Sequence, residues 1–309
     1  MKKYLVGIDI GGTSIKIGLF DLSGSLLEKW DIPTNKTNKG ELILSEIAES
    51  IQSKIRIEEV HGIGFGVPGP VTKDIVFSTV NLGWTLKNVK EEFYQIVNNR
   101  DFHIRVSNDA NTATAGELYQ GVAKGYNNVA MFTLGTGIGG GIVLNGKIID
   151  GINGVAGEVG HIVVDQEHQF QCNCGKKGCL ETVASATGIV RLAEEYLRES
   201  NESSLLRHAH HLSAKKVIDA AKEGDSIALK TLSEAAHYLA YSMAMITNII
   251  NPDIIVIGGG VSNAGQILID LIEEFYYQYT KPFINHTNFA IASLGNDAGI
   301  YGAAYMVRL

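Results

Sequence analysis

Short runs of β-branched and aliphatic residues, each closed by a glycine-bearing turn, open the chain. From Tyr4 to Ile10 the residues are almost all apolar, Asp9-Ile10-Gly11-Gly12-Thr13 follows, and Ile15, Ile17 and Leu19 then alternate with polar or small residues. That pattern predicts strand, tight turn, strand. A turn at Ser23-Gly24-Ser25 leads into a third strand near Leu26 to Ile32. From Glu41 to Ile55 the apolar positions fall at helical spacing, and Val60 to Val67 reads as a buried strand running into Pro68-Gly69-Pro70.

The plan then returns. Val129 to Leu134 is apolar, the glycine-rich run from Gly135 to Gly141 reads as a turn, Ile142 to Leu144 runs back, and Asn145-Gly146 is a strong hairpin signal ahead of Lys147 to Ile149. Later, Ala228 to Ile250 has a long helical pattern, and Ile254 to Ile257 is a buried strand ending at Gly258-Gly259-Gly260. The chain therefore reads as a duplication: each half is a hairpin meander, a helix, a buried strand and a glycine turn. Between the halves, Val89 to Val97 is helical, Ile104 to Ser107 is a strand, and Asn111 to Tyr119 begins a further helix. Asn296 to Met306 is a helix of small residues suited to close packing. Two mixed sheets covered by helices follow from this order, an α/β fold. With no long linker present, the two domains are expected to share a cleft.

Composition narrows the partners. The chain has 309 residues, 45% hydrophobic and 19% charged, with a formal net charge of -7. Nothing in that balance supplies the basic footprint that nucleic acid requires. No apolar run reaches the length of a membrane span, and Asp9 interrupts the one N-terminal stretch that begins like a signal peptide. A cytoplasmic protein acting on small polar molecules is expected.

All three cysteines, Cys172, Cys174 and Cys179, fall in one glycine-flanked loop, with His161 upstream as a fourth soft donor. Three thiolates and an imidazole suit a closed, structural zinc site. Buried core thiols do not collect in a lysine-bearing loop, and an odd cysteine count argues against a disulfide framework. Glu158, Gly160 and Glu181 bracket the cluster, so a metal there would hold two carboxylates and one face of a histidine in place.

Asp9-Ile10-Gly11-Gly12-Thr13 and Gly135-Thr136-Gly137 would each present backbone N–H groups and a hydroxyl at a tight turn, a concavity suited to anions. One such turn alone is equally well explained as a hairpin device; two of them, with Asp9 in the first, favour a nucleotide with magnesium. Gly135-x-Gly137-x-x-Gly140 matches the dinucleotide fingerprint in letters only, since that fingerprint must open a helix and here a strand follows. No Walker-type Gly-Lys-Ser/Thr occurs. Asn108-Asp109 stands where a strand hands over to a helix; helix capping accounts for one of the two, and a general base accepting a hydroxyl proton is the competing role for Asp109. Asn81-Leu82-Gly83-Trp84 reads as a polar turn with a half-buried tryptophan. With Gly69, Asn108, Glu158, His161 and Glu181 it would supply the amides and carboxylates that read a polyol. His208, His210 and His211 lack acidic or cysteine neighbours and read as solvated.

Taken jointly, Asp9-x-Gly11-Gly12-Thr13, Asn108-Asp109, the glycine run from Gly135, Glu158-Val159-Gly160-His161 and Cys172-x-Cys174-Gly175-x-x-Gly178-Cys179-x-Glu181 resemble the ROK family of sugar kinases over nearly the whole chain. The resemblance implies the duplicated actin-like ATPase (ribonuclease H-like) fold, with a smaller domain from residues 1–112 plus 293–309 and a larger one, carrying the zinc insertion, from 113–292. It implies Asp109 as general base and Gly69, Asn81, Asn108, Glu158, His161 and Glu181 around the sugar. Asp9, Gly11, Gly12, Thr13, Thr136, Gly137 and Gly259 would surround ATP and Mg2+, and His161, Cys172, Cys174 and Cys179 would bind structural Zn2+. Asn81 to Trp84 and Leu180 to Gly188 look most like bacterial glucokinases. An N-acetylmannosamine, fructose or β-glucoside kinase stays open as the alternative within the family, since each could share the same sugar-reading residues. One departure is Thr112 and Thr114, where many members carry alanine. Family repressors place a DNA-binding helix-turn-helix ahead of the first strand, where this chain has only three residues, so a catalyst is expected over a sugar-sensing regulator. A homodimer or higher homo-oligomer is expected.

Overall fold

The computed structural model describes residues 1–79, 81–280 and 287–308. The chain divides into two compact units, one of residues 1–125, 147–157 and 293–309, the other of 126–146 and 158–292.

In the first unit, β1 (Tyr4–Ile10) turns through Gly11 and Gly12 into antiparallel β2 (Ser14–Asp21), and β3 (Leu26–Pro33) completes the meander. β4 (Val60–Val67) and β8 (His103–Asn108) add on parallel, giving the order β3-β2-β1-β4-β8. Asp9 pairs with Gly66 and Val67 with Asn108, so the carboxyl ends of β1, β4 and β8 finish along one edge. That edge is where an open parallel sheet offers its ligand site.

One sheet face is covered by α1 (Ile43–Gln52) and α2 (Val89–Val97), whose buried Ile43, Ile47, Ile51 and Phe93 meet Phe65, Ile63 and Val6. Each such side chain removed from water contributes about 1.5–3 kcal/mol. α3 (Asp109–Tyr119) and the small-residue helix α9 (Ala298–Met306) pack with the unit as well. A Cβ at Gly64 would lie 1.8 Å from the Ala303 carbonyl, and one at Gly302 would lie 1.7 Å from that of Thr112. Only hydrogen fits at either place, which is what the small residues of α9 accomplish. The same packing keeps α3 in the first unit, whose first segment ends at residue 125 and not at 112. Thr112 and Thr114 are buried there, their hydroxyls donating to the carbonyls of Asp109 and Ala110 at 2.7 Å.

The sequence pattern missed a small antiparallel sheet of β5 (Val71–Thr72), β6 (Ile75–Thr79) and β7 (Trp84–Asn88). Its first turn places Lys73 and Asp74 at positive φ, where the usual Asn-Gly signal is absent. Trp84 is accordingly not half-exposed in a surface loop: it is buried at the start of β7, and its Nε1–H donates to the Gly40 carbonyl at 3.0 Å.

The second unit repeats the arrangement. β9 (Val129–Leu134) pairs antiparallel with β10 (Ile138–Leu144), which runs into the Asn145-Gly146 turn; the two-residue β11 (Lys147–Ile148) after it is counted with the first unit. β12 (Ile254–Gly258) lies parallel between β9 and β13 (Asn288–Ile291). The expected turn from Gly135 to Gly141 is shorter than expected: from Ile138 onward the glycines sit in β10, where Gly141 faces Met131 of β9. Helices α4 (Glu181–Ala184), α5 (Ala186–Glu199), α6 (Ala214–Lys222), α7 (Ser226–Ile250) and α8 (Gln266–Thr280) complete this unit. The long α7 buries Leu232, Ala235, Ala236, Leu239 and Met243, one stripe at helical spacing, and ends on Asn251 in the left-handed region. Among the described residues no helix is long and apolar enough to cross a membrane.

Candidate active site

At the carboxyl edge of the first sheet, the Gly11 N–H closes the hairpin turn onto the Ser14 carbonyl at 3.0 Å, and Thr34 donates to the Gly11 carbonyl at 2.7 Å. Asp9 is half-buried; burial pushes its carboxyl above the ordinary value, while Lys16, facing it across β2, pulls it back. Thr13 is exposed at the turn. A Cβ at Gly12 would lie 3.5 Å from that of the exposed Asn81, which brings the phosphate-turn and polyol candidates of this unit side by side.

Asn108 does the capping. Its Oδ1 accepts from the Ala110 and Asn111 N–H groups, at 2.8 and 3.3 Å, and its Nδ2 donates to the Gly69 carbonyl at 3.1 Å. Asp109 is left as the exposed first residue of α3, with Oδ1 accepting from the Ala110 N–H at 2.8 Å. Behind it, Asn111 is buried and donates to Asp150 at 2.9 Å; burial raises the Asp150 carboxyl, and the Asn111 bond opposes the rise. Thr34, Asn111 and Asp150 carry no local motif, and their partners lie far away in sequence.

The second unit holds the other candidates. The Gly135 N–H donates to the Gly137 carbonyl at 2.9 Å, and Thr187 donates to the Thr136 carbonyl at 2.9 Å. Gly259, at φ +84°, passes so near Leu134 that a Cβ would lie 2.5 Å from its carbonyl, placing the glycine turn after β12 beside the one after β9. A Cβ at Gly137 would lie 2.6 Å from Glu181 Oε2, so this turn and the Glu181 carboxylate are neighbours.

His161, Cys172, Cys174 and Cys179 bring four donor atoms within 4.8 Å of one another. Tetrahedral bonds of about 2.3 Å to sulfur put donors roughly 3.8 Å apart. Here His161 Nδ1 is 3.6 Å from Cys172 Sγ, and Cys174 Sγ is 3.6 Å from Cys179 Sγ, so the set fits a zinc ion. Burial pushes the Cys172 and Cys179 thiols up, and the Lys176 N–H holds Cys174 below the usual thiol range. A cation is what would keep all three as thiolates. His161 turns Nδ1 to the cluster and Nε2 toward Glu158, 3.9 Å away, while Glu181 Oε1 lies 3.0 Å from Cys172 Sγ. His208, His210 and His211 are exposed and outside the cluster.

The paired sheets of like order are those of the actin-like ATPase fold, and solved structures of that class superpose on the whole chain. A ROK family glucokinase from Streptomyces griseus, in complex with glucose and AMPPNP, matches with a TM-score of 0.79 and 31% identity, covering 99% of each chain. The ROK family model matches residues 5–309, and the protein belongs to the ROK family. It is 43% identical to a glucokinase of Halalkalibacterium halodurans over 99% of this chain and 95% of that protein. It is also 36% identical to a glucokinase of Thermotoga maritima, over 99% and 98% respectively.

Proposed function

We propose that the protein is an ATP-dependent hexose kinase whose preferred substrate is glucose, converted to glucose 6-phosphate. The observation that carries this reading is Asp109, set by the Asn108 cap as an exposed carboxylate at the carboxyl edge of the sheet, in a chain alike along its whole length to glucokinases.

Asp109 acts as general base. It accepts the proton of the glucose 6-hydroxyl as that oxygen bonds to the γ-phosphorus of ATP, and the bond from phosphorus to the ADP oxygen breaks in line. Gly69, Asn81, Asn108, Glu158, His161 and Glu181 are the candidates to hold the sugar hydroxyls. Gly11, Gly12, Thr13, Thr136, Gly137 and Gly259 receive the nucleotide. Asp9 would hold Mg2+, which would supply neutralisation of the phosphate charge. His161, Cys172, Cys174 and Cys179 would hold structural Zn2+, which would keep the imidazole oriented with Nε2 free for a sugar hydroxyl. The protein works in the cytoplasm as a homo-oligomer.

The test is a coupled ATP-consumption assay over glucose, mannose, N-acetylmannosamine, fructose and a β-glucoside. The highest kcat/KM is expected for glucose. A higher value for another sugar overturns the substrate, and no turnover with any sugar overturns the kinase.

A further inference from the structure

A cavity of about 330 Å3 opens in the first unit at the end of the sheet away from Asn108 and Asp109. Its wall carries three full cations, Lys90, Arg105 and Arg308, together with the His61 and His103 imidazoles and the ring of Tyr94. These come from four elements: β4, α2, β8 and the turn after α9. In a chain of net charge -7, such a local concentration of positive groups runs against the global sign. Of the three cations, Lys90 has a carboxylate partner, Asp74 at 3.2 Å. The Arg308 guanidinium lies over the Tyr119 ring and donates to its hydroxyl, and it forms no ion pair among the described residues. Arg105 forms no ion pair among the described residues. His61 and His103 stand edge to face at 5.6 Å.

Like charges gathered around a concavity repel one another, and the natural relief is an anion that accepts hydrogen bonds from several at once. Two guanidiniums suit the paired oxygens of a phosphate. The volume sits near the lower end for small-molecule sites, room for a phosphate monoester with a small organic body. β8 carries His103 and Arg105 in this wall and ends at Asn108, so the cavity reaches to within three residues, roughly 10 Å, of the candidate catalytic edge.

We propose that this cavity is a second ligand site, specific for a small phosphorylated molecule and separate from the candidate active site. Calorimetric titration with inorganic phosphate and with glucose 6-phosphate is the test, run on protein saturated with glucose and a non-hydrolysable ATP analogue at constant ionic strength. The sugar phosphate is expected to bind more tightly than phosphate if the cavity reads the organic body; equal affinity assigns the site to the oxyanion alone, and either result supports it. Arg105→Gln and Arg308→Gln should each weaken that binding by about tenfold or more, while Lys215→Gln, on α6 and outside the cavity lining, should not. A folded variant is confirmed by circular dichroism; if Arg105→Gln does not fold, Arg308→Gln alone decides. Absence of binding, or binding indifferent to both arginines, overturns the proposal.

Discussion

Asp9 and Thr133 occupy the same station in the two repeats. Asp9 is the next-to-last residue of β1, between Lys16 of β2 and Gly66 of β4; Thr133 is the next-to-last residue of β9, between Gly139 of β10 and Gly258 of β12. The backbone is repeated and the chemistry is not. In the first unit the station holds a carboxyl that burial disfavours in its charged form, offset in part by Lys16. In the second it holds a neutral hydroxyl flanked by glycines. Burying a carboxylate costs free energy unless a cation meets it, so the asymmetry places a demand for positive charge on one repeat only. Duplication supplied two turns of one shape; the residue at the turn decides which of them handles charge.

The largest effect expected is at Asp109. Asp109→Asn should lower kcat by about a thousandfold with little change in glucose binding, and a variant within tenfold of the wild type would move the charged chemistry out of the first unit altogether. Asp9→Asn comes next: kcat/KM for MgATP should drop on the order of a hundredfold.

That same substitution should raise stability. Because the folded-state value of Asp9 is raised, its contribution is fully present below the ordinary carboxyl value of 3.8 and is lost as pH rises through the raised one. The asparagine variant lacks that loss, so denaturant midpoints should show it gaining on the wild type between acid and neutral pH. A gap that stays constant, or shrinks, would contradict a desolvated Asp9.

In the second unit, Cys174→Ala should release zinc, as read by metal analysis, and raise the glucose KM about tenfold. A wild type purified without bound zinc would remove the site. The smallest effect sharpens the comparison: Thr133→Ala should leave kcat/KM for MgATP within about threefold, since no charge is handled there. A loss matching that of Asp9→Asn would make the two stations equivalent after all.

Much of the site was legible because its residues sit in short, dense motifs. Cys172, Cys174 and Cys179 lie in one loop with His161 close upstream, and their donor atoms do converge. Asn108-Asp109 left open which residue caps and which is presented; the geometry assigns the cap to Asn108. Thr34, Asn111 and Asp150 were invisible, because each acts through a partner remote along the chain. The Lys73-Asp74 turn was missed for a related reason: the Asp74 carboxylate accepts from the Val106 N–H at 3.0 Å, a tertiary contact in place of a turn signal.

Local chemistry, then, was settled by the order of residues: strands from alternation, turns from glycine, the soft-metal cluster from spacing, since each depends on neighbours a few positions apart. Helix α3 stays with the first unit, Trp84 is buried, and the cations of β8, α2 and the C-terminal turn meet around one cavity. Those facts belong to the folded molecule alone. They arise where segments far apart in the chain approach within van der Waals distance, as Gly302 does against Thr112, and no window along the sequence contains both partners.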